Sequence, residues 1–351
     1  MRRLTRWLLL GVLLLGAAGA ATLFYVTSLD DPYRGWSGDE VFVEIPAGAG
    51  PRTIERRLIE AGVVKDAFTF RAALWLSGRA RELQAGEYHF DRPLGATQVI
   101  EVIASGQVHK RLLTLREGLT IAEMAQVFEE RGFGTAAAFI AAASDPSLIR
   151  NLDPGAPDLE GYLFPETYAL PRQTPASDLV KLMVAHFEAA FDEPLRSAAR
   201  DQGLSTRHVV TLASLVEKET GQPHERPLVA AVYRNRLKLG MGMQADPTVI
   251  FALQKAGSYD GNLSRDDLQF DSPYNTYRYP GLPPGPIAAP GRSALEATLR
   301  PADVKHLYFV SRNDGSHVFA DTLEEHNRNV FEWQVKYFRE QRRQRNEGVK
   351  E

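Results

Sequence analysis

At 351 residues the chain exceeds the usual size of one domain, so two or three packed units are expected. A composition of 44% hydrophobic and 24% charged residues excludes wholesale disorder and a multi-span membrane protein. A formal net charge of −3 lacks the basic footprint of nucleic-acid binding, so DNA and RNA are not expected partners; with no cysteine, disulfides, thiolate catalysis and zinc fingers are excluded together.

Arg2, Arg3 and Arg6 precede an uncharged stretch of about 23 residues, Trp7 to Leu29, long enough for the ~20 residues that span a bilayer. By the positive-inside rule residues 1–6 stay cytoplasmic, 7–29 form a transmembrane anchor and the body is exported. The alternative is a cleaved signal peptide, for which Ala18-Gly19-Ala20 offers small residues at a cleavage site. Apolar residues continue through Leu23, Phe24, Tyr25 and Val26, further than a signal peptide requires, and either reading exports the body. Residues 30–40, with Pro32, Gly35 and Gly38, read as a short stalk.

Residues 41–107 read as a small α+β module. Val41, Val43 and Ile45 alternate as in a strand, Pro46-Ala47-Gly48 turns the chain, and Ile54, Leu58 and Ile59 have helical spacing that ends near Gly62. A helix over Phe68–Leu76, a strand over Gly86–Phe90 and a helix over Thr97–Ser105 complete it. Residues 108–157 read as a second strand-helix unit. Leu113 and Leu115 mark its strand and Glu117-Gly118 its turn, while Thr120 with Glu123 forms a capping box and Gly132 stops the helix. The segments IPAGAGPRTIERRLIEAGV and LREGLTIAEMAQVFEERGF align loosely, which leaves internal duplication and shared helix grammar both open. An Ala-rich helix over Thr135–Ala143 follows, then a loop with Pro154, Gly155 and Pro157 that marks a boundary.

Residues 158–351 form the last and largest unit. Helices are expected over about Ala176–Phe191 and Thr206–Thr220, and from near Glu225 and Pro247. Asn313-Asp314-Gly315 between Leu307–Val310 and His317–Phe319 signals a hairpin, and a final helix capped by Thr322 runs into a basic, solvated tail.

HExxH, GxSxG and a Walker lysine motif are all absent, the eight histidines are scattered, and His224-Glu225 lacks a second histidine. Metal and nucleotide chemistry therefore have little support, and no metal or cofactor is expected. What remains is acidic and aromatic. In the helix after Ser205, Glu219 has Val216, Leu215 and Leu212 three, four and seven residues behind it, whereas Glu217 has Ser214, Ala213 and Val210. Large apolar neighbours desolvate a carboxyl, and the negative end of the helix dipole acts in the same direction. Both raise its pKa toward the range of a general acid near neutral pH. The competing reading of Glu217-Lys218-Glu219 is an ordinary charged helix end in water.

The segment DSPYNTYRYPGLPPGPIAAPG, Asp271 to Gly291, is too rich in proline for a helix or central strand. It reads as a stiffened loop whose Tyr274, Tyr277 and Tyr279 can line a cleft for a sugar chain, or as a rigid connector. The stretch Leu159–Tyr168, which holds Glu160 and Glu166, carries the same two readings. Asp246-Pro247 fits a helix start with Asp as N-cap, a role that leaves the preceding Gln244 unexplained.

ASLVEKETG (Ala213 to Gly221), MQADPTVIF (Met243 to Phe251), SPYNTY (Ser272 to Tyr277), GLPPGPI (Gly281 to Ile287) and LEGYLFPETY together resemble the endolytic murein transglycosylases, the YceG-like family. The resemblance runs from the anchor to the last helix and is tightest over 159–290. It implies an α+β protein: a single N-terminal transmembrane helix, a small LysM-like α+β module, then a mixed α/β catalytic domain at 158–351. It implies cleavage between N-acetylmuramic acid and N-acetylglucosamine within nascent glycan strands, leaving 1,6-anhydromuramyl ends and ending strand elongation. The family's catalytic glutamate, followed by a small hydroxyl residue, falls on Glu219 with Thr220 after it. Gln244, Asp246, Ser272, Tyr274, Asn275, Tyr277 and Glu166 are implied as substrate-binding residues, and no cofactor is implied. Implied partners are peptidoglycan strands and membrane-bound peptidoglycan synthases. The implied location is the bacterial cytoplasmic membrane with the catalytic domain on its outer side.

One carboxyl suffices for such a reaction, because the sugar's own 6-hydroxyl attacks; a conventional glycosidase needs two. A hydrolytic muramidase would need a second carboxylate, for which Glu160, Glu166 and Asp246 are candidates. A non-catalytic, glycan-binding membrane scaffold would need neither.

Overall fold

The chain begins in a helix, α1 (Arg2–Ser28), in a computed structural model that describes residues 2–172 and 174–347, with the side chains of 2–11, 21–23 and 343–347 left out. Much of the expected anchor therefore lies outside the described side chains. Among the described residues no helix is long and apolar enough to cross a membrane.

Two compact units follow from the packing: residues 1–112 with 169–173, and residues 113–168 with 174–351. In the smaller unit β1 (Val41–Ile45) leads to α2 (Pro51–Glu60), α3 (Ala67–Ser77), β2 (Gly86–Phe90) and α4 (Ala96–Ala104). β1 and β2 pair antiparallel, from Val41 opposite Phe90 to Ile45 opposite Gly86. Because side chains alternate along a strand, this register turns Val43, Ile45, Tyr88 and Phe90 to one face. They bury there with Ile54, Leu58, Phe70, Leu74, Val99, Ile100 and Ile103. The expected stalk over 30–40 is corrected. Leu29 is 3% exposed and joins this core, its carbonyl accepts the Ala96 N–H, Tyr33 N–H bonds to Leu94 O, and Gly35 N–H bonds to Gly62 O. The backbone of Asp30 lies so close to Gly95 that a Cβ there would approach the Asp30 Cα to 2.6 Å, which is why glycine stands at that position. Polar composition marked this segment as a spacer, yet its backbone is strapped to the module.

β3 (Lys110–Thr114) comes next, and the boundary between units falls within it and within its partner β4 (Thr167–Pro171). The expected separate unit at 108–157 is thereby corrected. From Leu113 onward the segment belongs to the larger unit, with α5 (Ile121–Glu130) and α6 (Ala136–Ala143) preceding β4. The likeness between the two strand-turn-helix segments is local: Gly48 and Gly118 turn at φ of 75° and 77°, and Gly62 and Gly132 end the helices at 73° and 74°. Thr120 and Glu123 form the expected capping box.

The larger unit continues with α7 (Ala176–Ala190), α8 (Glu193–Asp201), α9 (Thr206–Glu219), α10 (Arg226–Lys238), α11 (Asp246–Lys255) and α12 (Arg292–Leu299). A hairpin of β5 (Tyr308–Ser311) and β6 (His317–Ala320) follows, then α13 (Leu323–Val330), a wider-wound stretch Phe331–Lys336, and α14 (Tyr337–Glu347). Among the described residues each sheet has two strands. The protein is α+β, but its larger unit is a mainly helical body carrying a hairpin, where a mixed α/β domain was expected. α9 is the central helix: every residue from Val209 to Val216 is buried, with α8, α10, α11 and α12 packed around it.

Candidate active site

The C-terminal end of α9 sends its charged residues to different fates. Glu217 accepts from Arg226 Nη2 (2.8 Å) and from the Gly291 N–H (3.0 Å), which uses it as a structural tie. Lys218 is exposed and donates to Gly118 O. Glu219, the last residue of α9, is partly buried and accepts a 2.6 Å hydrogen bond from the Tyr233 hydroxyl of α10. Burial pushes the Glu219 carboxyl up to about 7; the Tyr233 bond opposes this, the nearby Asp246 charge adds to it, and His317 and Arg236 oppose it. The apolar residues behind Glu219, Leu212, Leu215 and Val216, are buried as its spacing predicted. A simple solvated helix end does not describe this group.

Tyr233 is 1% exposed, and desolvation followed by the Glu219 charge raises its phenol well above the ordinary value, so it remains a proton donor at neutral pH. Its ring stands edge-on to Phe309 of β5. One turn further along α10, buried Arg236 spends its donors on backbone carbonyls: Nε on Leu307 (2.7 Å) and Nη1 on Met243 (2.5 Å). It contributes positive charge near Glu219 without being hydrogen-bonded to it. Thr220, the residue after the acid, is 2% exposed and donates to Glu225 Oε2, and Glu225 in turn receives the His317 N–H (2.8 Å) and meets its Nδ1 (2.7 Å). The hydroxyl thus clamps the helix end to β6.

The start of α11 and the tyrosine loop are joined by buried hydroxyls. Thr276 Oγ1 accepts the Ala245 N–H (3.1 Å) and meets Thr248 Oγ1 (2.9 Å), and Gln244 N–H bonds to Thr276 O. Gln244 is exposed at φ 51°, a strained conformation for a residue with a Cβ. Ala245 occupies the N-cap, so the expectation of Asp246 as N-cap is shifted by one residue. Asp246 is left exposed and accepts from the Tyr277 hydroxyl (2.6 Å). Asn275 is fully buried; its amide donates to Leu268 O (3.0 Å) and Phe270 O (2.8 Å) and its Oδ1 accepts the Tyr277 N–H. It frames the loop from inside, so its implied contact with substrate is corrected. Ser272 closes the same turn by accepting the Tyr274 N–H and, through its carbonyl, the Asn275 N–H.

The loop runs beside α11, with Tyr277 at its first residue and Tyr274 on Phe251 (ring centroids 4.9 Å) and Lys255 at its far end. At that far end a cavity of about 600 Å³ is lined by Glu160, Asp158, Phe251, Gln254, Lys255 and Tyr259, a set that does not include Glu219. Burial pushes Glu160 up to about 8, against the Ile121 N–H that it accepts. Glu166 is bonded to His186 of α7 (2.5 Å), away from the Glu219 group.

The geometry brings together Glu219, Asp246, Tyr277 and Gln244 of the predicted residues, and adds Tyr233, Arg236, His317 and Glu225. A signal for Tyr233 was present in the sequence, because a tyrosine on an apolar helix face needs a partner for its hydroxyl. Nothing local marks His317, which reaches the site only through the hairpin.

The family model of YceG-like proteins matches residues 43–332. The endolytic murein transglycosylase of Bacillus subtilis is 33% identical over 320 residues, covering 87% of this chain and 88% of that protein. The protein of the same name from Streptococcus pneumoniae is 31% identical over 349 residues, covering 91% of this chain and 63% of that longer protein. A crystal structure of a YceG-like protein from Listeria monocytogenes is 30% identical and superposes with a TM-score of 0.58, covering 83% of this chain and 99% of that one. On the family match and these identities together, the chain belongs to the YceG-like family.

Proposed function

We propose that this protein is an endolytic peptidoglycan transglycosylase in which Glu219 acts first as acid and then as base. The observation that carries the reading is the carboxyl at about 7, bonded to Tyr233. Such a group is protonated often enough to donate and deprotonated often enough to accept near neutral pH. In the reaction Glu219 protonates the oxygen linking N-acetylmuramic acid to N-acetylglucosamine, and the C1–O bond breaks. The muramyl 6-hydroxyl then attacks C1 and gives its proton to the Glu219 carboxylate. No water is consumed, and the 1,6-anhydro ring closes as the acid is regenerated. Tyr233 supports the carboxylate that exists between the two transfers. Exposed Gln244, Asp246 and Tyr277 stand where a strand crosses the acid, with Tyr274 further along α11.

Asp246 is the acidic group whose charge bears most directly on Glu219, and it supports a second, hydrolytic reading. Product analysis separates the two. Purified strands treated with the protein should yield anhydromuramyl ends by mass spectrometry, and Glu219→Gln should lower the rate by about 10²–10⁴-fold with the fold intact. Reducing ends alone would replace the transglycosylase reading with the muramidase one. Cleavage undiminished in Glu219→Gln would remove Glu219 from the mechanism.

The same reading gives α1 the role of a single-pass anchor in the cytoplasmic membrane, supported by Arg2, Arg3 and Arg6 ahead of the uncharged stretch. It places the rest of the chain outside the membrane, beside synthases that make the strands it cuts. The strand-helix-helix-strand order of β1, α2, α3 and β2 on one antiparallel pair supports a LysM-like module.

A further inference from the structure

The small unit exposes an apolar face that its own core does not need. α3 buries Phe70, Ala73 and Leu74, while Phe68 is 69%, Trp75 81% and Leu76 45% exposed. Phe68 and Trp75 are seven residues apart, hence on one side of the helix, with Ala72 between them and Leu76 alongside. The charged residue on that side, Arg71, is held in a bidentate pair by Glu55 (2.7 and 2.8 Å). Isolated exposed apolar residues need no explanation, but a Trp-Phe stripe with its charge neutralised does.

The position of this face supplies the explanation. Phe68 packs on Tyr25 of α1, ring centroids 5.2 Å apart, three residues before α1 ends at Ser28. No slack follows: Leu29 is already in the module's core, and Tyr33 and Gly35 are bonded to the module. Phe24 and Val26, on the last turns of α1, are exposed as well. A helix that meets the end of a membrane span through an aromatic pair, without a spacer, is held at the level of the lipid headgroups. Tryptophan and phenylalanine are favoured at that depth.

We propose that the outer face of α3, formed by Phe68, Trp75 and Leu76, lies in the headgroup layer of the bilayer that holds α1, so that the small unit rests on the membrane. The occupant of the face is lipid, and the inference rests on the reading of α1 as an anchor. Arg71 is compatible with this setting, since its stem can lie in the interface while its head stays with Glu55.

The chain has no cysteine, so single labelling sites can be introduced into the full-length protein. Spin labels at Phe68→Cys, Trp75→Cys, Phe42→Cys and Val12→Cys would be compared after reconstitution in vesicles of phosphatidylethanolamine and phosphatidylglycerol. Accessibility to oxygen, which partitions into lipid, would be read against a water-soluble nickel chelate. Phe42 is the aqueous reference, because it lies on the sheet face turned away from the core. The expected result is that positions 12, 68 and 75 favour oxygen and position 42 favours nickel. If position 12 favours oxygen while 68 and 75 behave as 42 does, the interfacial helix is refuted and the anchor stands. If position 12 also favours nickel, the anchor itself fails and the proposal falls with it.

Discussion

Tyr233→Phe removes one hydroxyl and leaves the ring to pack edge-on to Phe309. In the native site that hydroxyl donates to Glu219 over 2.6 Å and holds down a pKa that burial raises, the balance lying at about 7. A hydrogen bond to a charged acceptor contributes about 1.5–3 kcal/mol and one to a neutral acceptor about 0.5–1.5, so the hydroxyl favours the carboxylate by about 1–1.5 kcal/mol. At 1.36 kcal/mol per pH unit, its loss should raise the Glu219 pKa by about one unit. Glu219 must carry its proton when the substrate arrives, so kcat/KM falls as pH rises through that pKa. The assay is the pH profile of kcat/KM for release of anhydromuropeptides from defined strands. The alkaline limb of the variant should lie about one unit above that of the wild type. The plateau should be lower, because the carboxylate formed during reaction has lost its donor. A limb that stays in place or moves to lower pH would refute the role given to Tyr233, whatever happens to the plateau.

Asp246→Asn should move the same limb in the opposite direction, since it removes a negative charge that raises the Glu219 pKa while the amide oxygen can still accept from Tyr277. Asp246 is exposed, so the shift should be smaller than one unit and should shrink as salt is added. Glu160→Gln tests a second carboxyl raised by burial, through stability. A carboxyl held at about 8 in the fold, against 4.5 as its ordinary value, releases its proton on unfolding. It therefore costs stability increasingly as pH rises from about 4.5 to about 8, to a total of a few kcal/mol. The amide cannot ionise and can still accept the Ile121 N–H, so the variant should have the higher Tm at pH 8 and little advantage at pH 4.5. A Tm difference independent of pH would refute the assignment.

Local grammar carried much of the fold into view. Ser205 caps α9 through the His208 N–H, Thr120 and Glu123 close a capping box, and β1 and β2 have the bounds that alternation predicts. α8 and α12 were missed, although Asp192 caps α8 by accepting the Leu195 N–H and proline stands in its first turn. α12 has Gly291 as its N-cap, hence no side-chain cap, and is only 8 residues long, which leaves a weak periodic signal. In the site, Glu219 could be read because the apolar residues behind it lie on its own helix. Its electrostatic partners come from α10, α11 and β6, and spacing along one helix says nothing about them. Asn275 was misread for a related reason. An amide among tyrosines looks like a ligand for sugar hydroxyls, and only the fold shows that Leu268 O and Phe270 O have already taken its donors.

The two glutamates at the end of α9 show why position in the fold, more than residue type, selects the acid. Each lies near an arginine of α10. Arg226 forms an ion pair with Glu217 at 2.8 Å and also bonds Ser293 Oγ, so Glu217 is fixed as a tie between helices. Arg236 makes no such pair with Glu219. Its Nε and Nη1 donate to the carbonyls of Leu307 and Met243. Its charge acts on Glu219 through space, where it offsets part of the effect of burial. The neutral donor Tyr233 makes the direct contact instead, and a phenol can remain bonded to the carboxyl in either protonation state. A lone group that must give a proton and then take one back needs this kind of partner, because an ion pair would stabilise only one half of the cycle.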